Sequence, residues 1–316
     1  MAKKSIFNKK INHSDFNKFL KKKIKKEIKS EISKKSLEYR IPSNDEKNLI
    51  LKDIVNKIFL SKVRKSGPKN KEIWEKGWGQ NLKNYKKKKS FKELLPKYFN
   101  KSNIARLHGD VIVAKNKSFD HKLLDLLIKT IVSIYLKNYD SLFYFGCGTG
   151  YNLKSIRHIN QKSKIIGFDW AFASQKILGY LKKNNENLYF QKFNFYNPQF
   201  LKEASNIAKQ GSWAALTIAS LEQVGKNHSR FIKFLLKKKP NIIVNIEPII
   251  EFADNLNLFD YLSKLYCYKR NYLQKYYSYL ERLEKKKKIK IIYKSNSSFG
   301  SKYINGYSLI VWKITK

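Results

Sequence analysis

Cysteine, arginine and acidic residues are scarce in this chain, and each shortage excludes something. Only two cysteines occur, Cys147 and Cys267, too few for a disulfide framework or a zinc cage, and a chain without a disulfide signature suits a reducing cytoplasm. No apolar run approaches the 18 or so residues of a membrane span. The longest, such as 242–250, are interrupted by Asn245 and Glu247. The N-terminal MAKKSIFNKKINHSDF lacks the apolar core of a secretory signal, so a soluble cytoplasmic protein is expected.

Acidic residues number 24 against 67 basic ones, giving a net charge of +43. Such an excess attracts nucleic acid. Its make-up argues against reading it that way alone, because only 7 of the 67 are arginine, the residue whose planar fork reads phosphates and bases. A translated AT-rich coding sequence gives the same lysine, asparagine, isoleucine and tyrosine skew. Residues 1–100 carry 30 basic and 10 acidic side chains, so the excess is denser at the front without being confined there.

What is present is enough apolar and aromatic surface, 42% and 14%, to build a real core over 316 residues. Residues 1–43 space Phe16, Phe19, Leu20, Ile24 and Ile28 as one basic amphipathic helix, and a second helix is expected over 45–64 behind an N-cap at Ser43 or Asn44. Trp74 and Trp78, four residues apart, face one way on a helix, as an anchor on the core or a lid over a site. A strand or hairpin is expected around 111–114. From Asp120 onward, helices alternate with apolar strands at about 141–145, 164–169, 187–193, 213–220 and 241–247. A helix over 254–286 and two closing strands, 289–295 and 306–314, complete an α/β pattern.

The sharpest local signal is SLFYFGCGTGYN, an apolar strand running into Gly146, Gly148 and Gly150. Glycines at alternate positions permit positive φ and let a ligand approach the backbone. The dinucleotide spacing fails, since its third small residue would be Tyr151, and no Gly-Lys-Ser/Thr follows for a phosphate loop. A strand followed by G-x-G-x-G resembles the nucleotide loop of class I S-adenosylmethionine-dependent methyltransferases. That resemblance implies a Rossmann-like, seven-stranded, mostly parallel sheet with an antiparallel terminal strand over residues 111–316, preceded by a mainly helical extension, 1–110. It implies S-adenosylmethionine as cofactor, held by Gly146, Gly148 and Gly150, with Asp169 accepting from the ribose hydroxyls and Trp170 covering the adenine. Asn194 and the Phe195 N–H would meet the adenine edge. The family usually has an acid two positions before the first glycine, where this chain has Tyr144.

Ligands sit at the carboxyl ends of strands in open α/β sheets, which makes Glu222, Gln223, His228, Glu247 and Glu251 the candidates for the reaction side. Glu222, His228 and Glu247 are the candidate proton acceptors for an O-methyl transfer. No metal is called for. The EQ of 222–223, the EP of 247–248 and the closing FGSKYINGYSLIVWK look like bacterial methyltransferases associated with sugars and surface polysaccharides, so a sugar or another small hydroxyl compound is the expected substrate. Two alternatives are an RNA methyltransferase docking nucleic acid through its basic N-terminal third, and a non-catalytic nucleic-acid-binding protein that keeps the fold.

Overall fold

The computed structural model describes residues 6–296 and 299–315, so residues 1–5 of the first expected helix lie outside the described residues. Over residues 6–43 the chain forms two helices between short strands. β1 (Lys9–Lys10) precedes α1 (His13–Leu20) and α2 (Lys26–Lys35), and β2 (Glu38–Arg40) follows. Lys21 at φ 47° ends α1, which is why one long helix does not form. The helix expected at 45–64 is α3 (Asn44–Phe59), with Ser43 as N-cap and Glu46 closing a capping box. α4 (Lys71–Lys88) carries the tryptophan pair, whose rings lie 5.2 Å apart.

A hairpin of β3 (Ile104–Leu107) and β4 (Asp110–Ala114) follows, so the compositional division at 110 falls at the edge of its turn. α5 (Phe119–Ile131), continued by a π turn to Leu136, leads into the main sheet. Its strands and crossover helices run β5 (Ser141–Phe145), α6 (Leu153–Ile159), β6 (Lys164–Asp169), α7 (Phe172–Lys182), β7 (Leu188–Lys192), α8 (Lys202–Lys209), β8 (Trp213–Ile218), α9 (Ser229–Lys238) and β9 (Ile242–Glu247). The expected helix over 254–286 is two, α10 (Leu258–Arg270) and α11 (Tyr276–Lys285). Asn271 at φ 53° and Lys275 at φ 56° break it, since two left-handed residues within five cannot continue a right-handed helix. β10 (Ile289–Ser295), β11 (Phe299–Ser301) and β12 (Ser308–Ile314) close the chain.

The result is an α/β fold with two sheets. The larger has the order β10-β12-β9-β8-β5-β6-β7, in which β5 to β9 are mutually parallel and β12 runs antiparallel between β9 and β10. The smaller has the order β1-β2-β4-β3-β11, joining the first third of the chain to a strand from its last twenty residues.

Period-two alternation distributes the core over both faces of the larger sheet. Leu142 and Tyr144 of β5 point to one face, where they meet α5 and also Phe16, Phe19, Leu20, Ile28 and Ile32 of the N-terminal helices. Phe143 and Phe145 point to the other, into Phe168, Phe193, Phe231 and Trp213. The buried Arg106–Asp260 pair, 2.9 Å, ties β3 to α10. Among the described residues, no helix is long and apolar enough to cross a membrane.

Candidate active site

At the carboxyl ends of β5, β6, β7 and β8 the turns diverge and leave a cleft, the place where an open α/β sheet exposes its loop backbones to a ligand. The glycine turn forms its floor. Gly146, Gly148 and Gly150 all have positive φ, at 71°, 56° and 74°. Gly146 is also sterically required, because a Cβ there would lie 2.4 Å from the Cβ of Ser220. A Cβ on Gly148 would lie 3.0 Å from the Trp78 ring, so α4 packs its tryptophan directly on this turn. Gly150 faces Leu153, Leu178 and Leu181 and shapes the turn from beneath the cleft, without lining it.

Asp169 ends β6 inside the cleft. Its carboxylate accepts from the Gly148 N–H and the Ala171 N–H, both at 2.9 Å, and so ties the glycine turn to the next strand. Removal from water pushes its pKa up to about 6, against the lowering effect of those two N–H groups. Each carboxylate oxygen has a second lone pair in reserve. Trp170 lies beside it, its ring 6.3 Å from that of Tyr196 and inclined by 30°.

Asn194 and Phe195 line the same wall. The Asn194 Oδ1 accepts from the Tyr196 N–H at 2.9 Å, and among the described residues no acceptor takes the Phe195 N–H. Glu75 of α4 accepts from the Phe172 and Ala173 N–H groups at 2.6 and 2.7 Å, which caps the helix after Asp169. The anchor-or-lid question about Trp74 and Trp78 therefore has one geometric answer: they are packed on the core and they line the cleft at once.

The candidates for the reaction side fare differently. Gln223 lines the cleft. Glu222, next to it, is buried and accepts from the Gln223 side chain at 2.8 Å. Burial first, and the charge of Glu247 second, push its pKa up to about 8. Glu247 is fully buried and accepts from the N–H groups of Ser220, Leu221 and Glu222 at 3.1 to 3.2 Å. That carboxylate organises the turn after β8. Burial pushes its pKa up to about 7 despite those bonds.

His228 is buried too, its Nε2 2.9 Å from the Gln274 carbonyl and its ring edge-on to Tyr276 and Tyr279. Burial holds its pKa below the ordinary histidine value. Glu251 accepts from the Ser278 N–H at 3.1 Å. None of Glu222, Glu247, His228 and Glu251 lines the cleft.

Sequence reading did not select Tyr98, Phe99, Leu124, Tyr151 or Tyr307, all of which line it. Tyr98 and Phe99 come from the extension, Leu124 from α5, Tyr151 from the end of the glycine turn and Tyr307 from the closing FGSKYINGYSLIVWK stretch, and nothing in the sequence around them shows that these side chains meet in one cleft. Tyr144 stands two positions before Gly146. Its hydroxyl accepts from the Asn152 side chain at 3.1 Å, and burial drives its pKa well above the tyrosine value, so it presents a neutral hydroxyl to the cleft.

No protein-family model and no curated protein matches the chain. Among solved structures it is similar to an O-methyltransferase of neocarzinostatin biosynthesis, crystallised with S-adenosyl-L-homocysteine and 1,4-dihydroxy-2-naphthoic acid. The identity is 9%, covering 60% of this chain and 57% of that one, with a TM-score of 0.42. It is similar to human N-acetylserotonin methyltransferase in complex with S-adenosylmethionine, at 13% identity over 84% and 66% of the two chains, TM-score 0.41. The chain thus spans less than two thirds of the length of either. It is also similar to the N-methyltransferase NodS of Bradyrhizobium japonicum WM9 bound to S-adenosyl-L-homocysteine, at 6% identity over 75% and 100% of the chains, TM-score 0.46.

Proposed function

We propose that the chain is an S-adenosylmethionine-dependent methyltransferase acting on a hydroxyl of a small molecule, a sugar or a compound of similar polarity. The observation that carries this reading is the convergence of three consecutive strand ends on one cleft: the glycine turn after β5, Asp169 at the end of β6, and Asn194-Phe195 after β7. Residues 111–316 hold the Rossmann-like catalytic unit in this reading, and residues 1–110 are an extension whose α4 closes the cleft over the glycine turn.

The residues present fit the cofactor. Gly146 and Gly148 offer backbone without side chains. Asp169 has lone pairs left for a vicinal diol, and the free Phe195 N–H suits a ring nitrogen. Trp170 offers a flat face for the adenine. When bound, the cofactor supplies an electrophilic methyl group. The chain's own part is to hold the acceptor oxygen in line, exclude water with Trp74 and Trp78, and receive a proton. Tyr98, Phe99 and Tyr307 favour a hydroxyl compound, since they combine faces that stack on a ring with hydroxyls that bond to it.

Calorimetric titration of S-adenosylmethionine and S-adenosylhomocysteine into the purified protein tests the reading, with Asp169→Ala compared by circular dichroism for folding. Micromolar binding to the wild type, lost in the folded variant, is the expected result. Absence of binding to the wild type overturns it.

A further inference from the structure

The larger sheet places the beginning of its antiparallel strand beside the carboxyl ends of the parallel ones. In the register of β12 with β9, Ser308 lies opposite Glu247. Tyr307, one residue earlier, is thereby brought to the cleft from the β9 side, across from the Asp169 and Asn194 wall on the β6 and β7 side. It sits at φ 70°, the only tyrosine, phenylalanine or tryptophan among the described residues in the left-handed region. A bulky side chain is rarely held there, and such conformations gather at functional sites. The strained backbone turns the phenol inward, where its hydroxyl donates to Asp120 Oδ1 at 3.1 Å.

Asp120 stands in the first turn of α5, behind Tyr307 as seen from the cleft. The titratable groups facing it are Tyr307 and Tyr98. Glu222 lies further off, with Arg270 beside it as its counter-charge. Removal from water pushes the Asp120 pKa up to about 6, close to where a general base works best. Tyr307 is held neutral by burial, reinforced by the charge of Asp120.

We infer that Tyr307 receives the acceptor hydroxyl and that Asp120, acting through it, is the proton sink of the transfer. This inference rests on the methyl-transfer reading above. The step balances. The acceptor oxygen bonds to the methyl carbon as the sulfonium S–C bond breaks, and sulfur keeps that electron pair. The acceptor's proton passes to the Tyr307 oxygen while the Tyr307 proton passes to Asp120, so the tyrosine is neutral before and after. Tyr307 is the catalytic residue and Asp120 a positioning residue that also stores the proton.

The test uses full-length protein saturated with S-adenosylhomocysteine and two hydroxyl probes, methyl α-glucoside and catechol, followed by ligand-observed NMR. These arms separate a sugar from a flat aromatic acceptor. Expected is binding of at least one probe to the wild type, weakened about tenfold in Tyr307→Phe, with S-adenosylhomocysteine affinity unchanged within about twofold. Turnover of that probe with S-adenosylmethionine should rise with pH through about 6 in the wild type and lose that dependence in Asp120→Asn. Failure of the wild type to bind S-adenosylhomocysteine sinks the methyl-transfer reading and this inference with it. Intact cofactor binding overturns the inference alone if neither probe binds, if both bind Tyr307→Phe as well as wild type, or if Asp120→Asn keeps the pH profile.

Discussion

The two walls of the cleft are built by different means. The Asp169 and Asn194 wall is local: each functional group lies within a residue or two of a strand end, and Asp169 bonds to a glycine only 21 positions earlier. The Tyr307 wall is assembled from afar, with 187 residues separating Tyr307 from Asp120 and Tyr98 contributed by the extension. A ligand recognised by most of a fold class can be met by backbone and strand ends that the fold positions everywhere. Recognition particular to one protein falls to side chains gathered from whatever segments happen to reach the site.

The largest expected effect concerns whether the extension can be separated from the rest. Phe16, Phe19, Leu20, Ile24, Ile28 and Ile32 are all at most 4% exposed and belong to the same core as β5 and β8. Their burial contributes roughly 10 kcal/mol, an upper estimate comparable with the whole stability of a domain. A chain lacking residues 1–43 should therefore show no cooperative thermal unfolding transition by calorimetry. A folded fragment that still binds S-adenosylhomocysteine would instead mark residues 1–43 as a detachable arm, as expected of a docking segment for nucleic acid.

Next in size is Gly146→Ala, on the local wall. The new methyl meets Ser220 at 2.4 Å on a backbone with φ 71°, so both the turn and the β8 loop must shift. Destabilisation of about 2–3 kcal/mol is expected, with cofactor affinity reduced well below that of wild type in calorimetry. Unchanged affinity would mean that the ligand does not pass over this turn.

What the sequence revealed follows the same division. All seven strands of the larger sheet are legible within a few residues, helped by apolar stretches such as 141–145 and 213–218 that are buried along their whole length. The glycine turn and Asp169 were legible because their chemistry is contiguous. Apolar periodicity makes 1–43 and 254–286 look like one helix each although each is two, since it does not register single left-handed residues such as Lys21 and Asn271. Glu247 and His228 are catalytic candidates in the sequence because they are polar residues that follow or end apolar strands. Where their hydrogen bonds go, to backbone N–H groups in one case and to the Gln274 carbonyl in the other, is a tertiary fact. Tyr307 lies within the closing FGSKYINGYSLIVWK stretch, but neither its left-handed backbone nor its bond to Asp120 can be read from that pattern.

A third test separates buried carboxylates that support the fold from those that serve the cleft. Glu222 has a folded pKa of about 8 against an ordinary 4.5, so the folded state binds more protons than the unfolded one between those values. Its contribution to stability is therefore lost as pH rises through that window. His121, lowered to about 4 from 6.5, acts oppositely below about pH 6.5, and Lys35, lowered to about 8, acts oppositely near pH 8 and above. Between roughly pH 6.5 and 7.5 the Tm should fall on the order of 2 °C from this group. Glu222→Gln should reduce the slope to the part left by Glu247, whose pKa of about 7 acts in the same direction, while Asp120→Asn should leave it nearly unchanged. A wild-type Tm constant across that window would deny Glu222 its elevated pKa.

The smallest expected effect lies where the extension meets the local wall. Glu75 is the one carboxylate of α4 that reaches across to the start of α7, and it satisfies two N–H groups at that helix's N-terminus. Glu75→Ala leaves both donors to water and should cost about 1 kcal/mol of stability. Because α7 begins three residues after Asp169, and Trp78 is seated on Gly148 from the same helix as Glu75, loosening this contact should also weaken cofactor binding a few-fold. Glu75→Gln, which keeps one acceptor oxygen but not the charge, should recover part of both losses. If Glu75→Ala lowers stability but leaves S-adenosylhomocysteine affinity untouched, α4 is an anchor alone. If affinity falls with it, the helix is a working wall of the cleft, and the local side of the site depends on the distant part of the chain as much as the Tyr307 side does.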